Sequence, residues 1–147
     1  MSSQVAGGGD PVDTAQAFIS ALAWNEHTTV WDLLSPAARA AVLDLATRRG
    51  MDALLAARLR EGTTGHEERD EFLADLLRGL RRAMPGVDFE ALRCVRGGSG
   101  ATVACSVLVH LVVGAPAELG GDVPVGRIEL VADVDGRWSV VRLDGTR

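Results

Sequence analysis

The sequence predicts an α+β domain in which N-terminal helices pack on one face of a C-terminal four-stranded antiparallel sheet. Three observations predict it. Apolar residues recur at helical spacing to about residue 84, and the period changes to alternation from Val87. Two turn signals, Gly97-Gly98-Ser99-Gly100 and Asp135-Gly136, then divide the last third into hairpins.

Asp10-Pro11 opens the first helix: Asp is a favoured N-cap, and proline suits a position whose N–H has no helical partner. Val12, Ala15, Phe18, Ile19 and Leu22 form its apolar face, up to about Trp24. After the break at Asn25-Glu26-His27, Thr28 or Thr29 caps a short helix bearing Val30, Trp31, Leu33 and Leu34. Ser35-Pro36 repeats the cap-then-proline signal for a helix with Ala38, Ala41, Val42 and Leu45, ended by Arg48, Arg49 and Gly50. Met51, Leu54, Leu55 and Leu59 mark a fourth helix, stopped at Gly62. Thr64 with Glu67 resembles a capping box for the strongest helix, which carries Phe72, Leu73, Leu76, Leu77 and Leu80 and ends at Pro85-Gly86.

Strands are expected over 87–96, 101–113, 125–134 and 137–143. In the third, Ile128, Leu130, Ala132 and Val134 alternate with Arg127, Glu129 and Asp133, which implies one buried face and one wet face. Residues 114–124, with Pro116, Gly120, Gly121 and Pro124, form the long loop.

The 147 residues suit a single domain over 11–147, behind a disordered tail over 1–10 that carries Gly7-Gly8-Gly9. The net charge of −5 argues against a nucleic-acid binder, which shows a basic face or stripe. No window approaches the ~18–20 apolar residues of a membrane helix, and the start lacks the charged and apolar regions of a secretory signal. A cytoplasmic location with reduced cysteines is therefore expected. The Ala-, Arg-, Gly- and Val-rich composition points to a GC-rich bacterial genome.

The stretch "AQAFISALAWNEHTTVWDLLSPAARAA" from Ala15 to Ala41, and the closing "DGRWSVVRLDG", carry a family likeness. The chain resembles the nuclear transport factor 2-like (NTF2-like) superfamily, which includes SnoaL-like cyclases, ketosteroid isomerases and limonene epoxide hydrolases. It departs from that pattern over 36–84, which reads as helix where the superfamily usually has an early short strand or hairpin. The resemblance implies a cone-shaped apolar pocket between sheet and helices, lined here by Phe18, Leu22, Trp31, Leu34, Leu108, Ile128, Leu130 and Trp138. It also implies a homodimer paired through the outer face of the sheet. The enzymes place Asp, His, Tyr or Glu among such walls, where burial moves a carboxyl pKa toward neutrality. With no Tyr in the chain, the tyrosine oxyanion donor has no counterpart, and no Asp-Arg-Asp set is placed.

His110, inside Val107-Leu108-Val109-His110-Leu111-Val112-Val113, reads as a pocket acid or base, or as a half-exposed histidine on the polar side of an edge strand. Asp32 reads as a carboxylate base at the pocket mouth, or as a first-turn acid complementing a helix dipole. His27 and His66 read as solvated. Glu129 and Arg127 orient a polar ligand, solvate an outer face or meet a partner. Arg78, Arg81 and Arg82, like Arg48 and Arg49, complement the C-terminal ends of their own helices. Cys94 and Cys105 are expected opposite one another as buried thiols or a redox pair, and two cysteines do not make a structural zinc site. The glycine run lacks the lysine and helix of a phosphate loop. No metal or cofactor is implied.

Two functions follow. The first is a non-catalytic module binding a small apolar molecule or a protein partner. The second is a SnoaL-like cyclase, isomerase or hydrolase using His110 and Asp32. They separate on whether the space under the sheet is open or filled.

Overall fold

The computed structural model describes residues 10–82, 84, 86–97, 106–114, 118, 120–133 and 135–145, so of the tail expected over 1–10 residues 1–9 lie outside the described residues, and Asp10 is the N-cap of the first helix. Five helices come first: α1 (Pro11–Ala23), α2 (His27–Leu33), α3 (Pro36–Arg48), α4 (Ala53–Glu61) and α5 (His66–Arg82). A 3-10 turn over Phe89–Ala91 leads into β1 (Leu92–Arg96), followed by β2 (Ser106–Val113), β3 (Val123–Ala132) and β4 (Trp138–Gly145). The strands form one antiparallel sheet in the order β1-β2-β3-β4.

The helix starts follow local chemistry. Asp10 Oδ1 accepts the Val12 N–H at 2.9 Å, and Ser35 Oγ accepts the Ala38 N–H at 3.0 Å. Gly62 ends α4 with a left-handed φ of 75°, a conformation glycine adopts without a Cβ penalty. Two other helix ends are closed from a distance. Arg81, expected to serve the end of its own helix, instead donates to the carbonyls of Leu22 and Ala23 at the end of α1. Arg39 Nε and Nη2 donate to Trp31 O and Asp32 O, each at 3.0 Å, at the end of α2. Arg81 serves carbonyls at the end of α1, Arg39 adds to a Trp31 carbonyl that also accepts the Leu34 N–H at 3.2 Å, and each guanidinium sits at the negative end of a helix dipole.

Helix α1 lies against all four strands and buries Ala15, Phe18, Ile19, Ala21 and Leu22 completely. The sheet answers with Leu92, Val109, Leu111, Ile128, Leu130 and Val140. Gly126 permits close approach at one end of this layer. A Cβ there would strike the Met84 sulfur and come within 2.8 Å of Asp144 O. Beyond α2 the chain touches the sheet edge: Leu34 bridges Val140 in parallel, and the Ser35 N–H donates to Val140 O at 2.8 Å.

Several expected details change. Residues 87–91 are not strand: the Asp88 carboxylate accepts the Glu90 N–H at 3.0 Å and stabilises a helical turn instead. Arg96 pairs with Val109, and the Gly97 N–H donates to Leu108 O, a register that the expected turn at Gly97-Gly98-Ser99-Gly100 does not allow. The third strand begins at Val123 and tolerates Pro124 because the β2–β3 register breaks there. The last hairpin is closed by Asp133 N–H to Arg137 O at 2.9 Å, with Gly136 at φ 78°, so its loop is longer than the two residues expected.

Candidate functional site

Six of the eight residues expected to line a cone, Phe18, Leu22, Trp31, Leu34, Ile128 and Leu130, lie together in the core. Phe18, Leu22, Ile128 and Leu130 are all 0% exposed. An accessible fraction of zero leaves no water-sized void against any of these four, so around them the space beneath the sheet is packed. Trp138 is partly buried against the same cluster. Leu108 belongs elsewhere. Successive strand residues face opposite sides, and with Val109 and Leu111 in the core, Leu108 and His110 share the outer face.

On that face His110 pairs across the sheet with Val95 and Arg127, and its ring covers Gly97, where an added Cβ would lie 2.7 Å from Nε2. Asp32 is exposed in the last turn of α2, not its first, and lines a shallow cavity of ≈ 370 Å³ with Arg39, Leu59, His66 and Arg69. The structure therefore does not bring Asp32 and His110 together. His27 Nε2 lies 3.2 Å from the Asp70 carboxylate, so it is paired as well as half-exposed. His66 is exposed.

Glu129 is not solvated. It is 1% exposed on the outer face, accepts from Ser106 Oγ at 2.7 Å, and lies 3.1 Å from Arg142 Nε. Arg142 also lies 3.2 Å from the Asp144 carboxylate, which stands 4.0 Å from Arg127. This row of alternating charges compensates a buried carboxylate. Cys94 faces Leu111 across the strands, not Cys105, which lies outside the described residues. Burial raises the Cys94 thiol pKa from 9.0 to about 11.

A concavity with a volume of ≈ 750 Å³ lies among the helices. One wall is the α3–α4 hairpin, with Val42, Leu45, Ala46, Met51 and Leu55. The other is α5, with Phe72, Leu76, Gly79 and Leu80. Helix α5 has two apolar ribs. Leu73 and Leu77 are buried, on the side that packs toward α2, while Phe72, Leu76 and Leu80 are only partly buried and line the groove. Phe72 also meets Trp31 edge-on, at 5.6 Å between ring centroids. Arg49, Glu68, Glu71 and Asp75 complete the lining. Glu68 pairs with Arg58 at 3.3 Å, and Asp75 pairs with Arg78.

Most of these apolar residues belong to helix faces evident from spacing, but spacing does not show that two faces are left over. The signal was present in width: five apolar residues between 72 and 80 cover more of a helix than one contact needs.

Comparison with known protein families, curated proteins and solved structures finds no match.

Proposed function

We propose that the chain is a non-catalytic binding module that takes a small apolar molecule in the groove between the α3–α4 hairpin and α5. The observation that carries this reading is the groove itself, ≈ 750 Å³ and walled by Val42, Leu45, Met51, Phe72 and Leu76. Its volume falls within the ~300–1,000 Å³ of small-molecule sites, which are mostly apolar with a few polar groups. Leu45 remains 43% exposed, so apolar surface is held open to solvent instead of being spent on the core. Binding is favoured over turnover because the three carboxylates and one guanidinium of the described lining are all exposed, and none is enclosed among apolar walls as an acid or base at work in a pocket is. Helices first and an antiparallel meander last support an NTF2-like layout, with the ligand displaced from the cone to the helical layer.

Titration with the uncharged fluorophore N-phenyl-1-naphthylamine tests this. The native chain is expected to bind it one-to-one, with Trp31 emission responding through Phe72. Leu45→Lys, which puts a charge on the groove wall at an exposed position, is expected to weaken binding by about tenfold, or ~1.4 kcal/mol. Absence of saturable binding, or an affinity that Leu45→Lys leaves unchanged, refutes the reading.

A further inference from the structure

We propose that the turn joining α3 to α4 is a lid that closes toward α5 over the molecule held in the groove, latched by Arg49 on Glu71; this rests on the binding reading above. The α3–α4 hairpin is anchored at its base and free at its tip. Ala38 and Leu43 are the buried residues of α3, and Ala56 and Leu59 those of α4. At the base Arg39 bonds to the end of α2, and Arg58 lies 3.3 Å from Glu68 at the start of α5. No residue from Asp44 to Leu55 is fully buried, and Leu45 and Leu54 are exposed. A segment with so little buried surface opens locally at low cost, and lids are drawn from such segments.

Two bonds mark where the tip flexes. The Thr47 hydroxyl donates to Leu43 O at 2.9 Å, one turn back along α3, a bond that weakens the helical ladder and bends helices. It falls where α3 leaves its last buried residue. On the other limb the Asp52 carboxylate accepts the Leu54 N–H at 3.4 Å, so α4 starts on a long capping bond.

The two walls are complementary. Leu45, Ala46 and Met51 of the tip line the groove opposite Phe72, Leu76 and Leu80. Glu68 and Asp75 are paired with Arg58 and Arg78. Each wall is then left with one exposed ion that has no ion-pair partner among the described residues, Arg49 on the tip and Glu71 on α5. Their signs are opposite, so closure pairs them. A bound apolar molecule touches both walls only when the tip is down, and that difference in contact shifts the population toward the closed state.

Double electron–electron resonance tests this, with 1-decanol as the probe and nitroxides on Ala53→Cys and Arg82→Cys in a Cys94→Ala, Cys105→Ala background. Both labelled positions are exposed. The free protein is expected to give a broad distance distribution, which saturating 1-decanol narrows onto its short side. A reference pair on Ser20→Cys and Arg82→Cys, spanning α1 and α5, is expected to stay unchanged. Arg49→Glu and Glu71→Arg are each expected to weaken 1-decanol binding about threefold at low salt, the scale of one exposed ion pair, and the double swap to restore it. A lid distribution that bound 1-decanol leaves unchanged, or a double swap that restores nothing, overturns the latched lid and leaves the groove standing. Failure of 1-decanol and the neutral fluorophore to bind at all removes the groove reading, and the lid with it.

Discussion

Cys94 gives the chain an unusually legible response to alkali. Its thiol lies on the inner face of β1, and burial raises its pKa from 9.0 to about 11 because a thiolate there would lose its hydration. The sign follows directly. Above pH 9 the unfolded chain gives up this proton while the folded chain keeps it, so unfolding is favoured increasingly until about pH 11, and the stability present below pH 9 is lost across that window. The full displacement corresponds to ~2.7 kcal/mol at ~1.36 kcal/mol per pH unit. The thiol is only partly buried, and solvent screening reduces the expected loss to ~1–2 kcal/mol. The background is quiet, because the chain contains neither lysine nor tyrosine. Urea unfolding at pH 8.5 and pH 11 measures the effect through midpoint and slope. The wild type is expected to lose ~1–2 kcal/mol more than Cys94→Ala over the same interval. Equal losses in the two proteins refute the reasoning, and slow alkylation of Cys94 at pH 8 provides a second check.

Two further substitutions test the architecture. Gly126→Ala drives a methyl group against Met84 and the Asp144 carbonyl, and is expected to cost ~1–3 kcal/mol in urea unfolding; a neutral result places Met84 elsewhere. Arg81→Met keeps the aliphatic stem but strands the Leu22 and Ala23 carbonyls, with an expected loss of ~1–2 kcal/mol, and faster amide exchange in the last turn of α1 checks that the loss arises there.

What was legible in the sequence, and what was not, divides by range. Asp10-Pro11 and Ser35-Pro36 announce α1 and α3 because a capping bond spans two or three residues, and the structure makes both bonds. The change of period at residue 87 announces the sheet, but Asp88 delays the strand to Leu92 by a local bond that competes with pairing. Register was beyond reach. Cys94 meets Leu111 because the connection after Gly97 is longer than its glycines suggested, and a register is set by pairing across the sheet. Arg81 shows the same limit: dipole logic places it at a helix C-terminus, yet the terminus it serves is 59 residues earlier. The alternation along β3 implies a wet face at Glu129, yet its burial depends on Ser106 and Arg142 from two other strands. The candidate site was hidden for a related reason. A helical face is readable from spacing, but whether a second helix covers it is a property of packing.

The short bridge between Leu34 and Val140 has a consequence for the company this protein keeps. An outermost strand offers a row of unpaired amides and carbonyls to any passing chain, the usual route to runaway strand addition. Here the Ser35 amide claims the Val140 carbonyl near the middle of β4, and the same serine's hydroxyl begins α3, so an incoming strand must first displace a helix start. On the other flank β1 is only five residues long and carries Arg93 and Arg96. Both margins are therefore blunted against strand addition, and the groove can keep greasy surface in water without the sheet seeding aggregates.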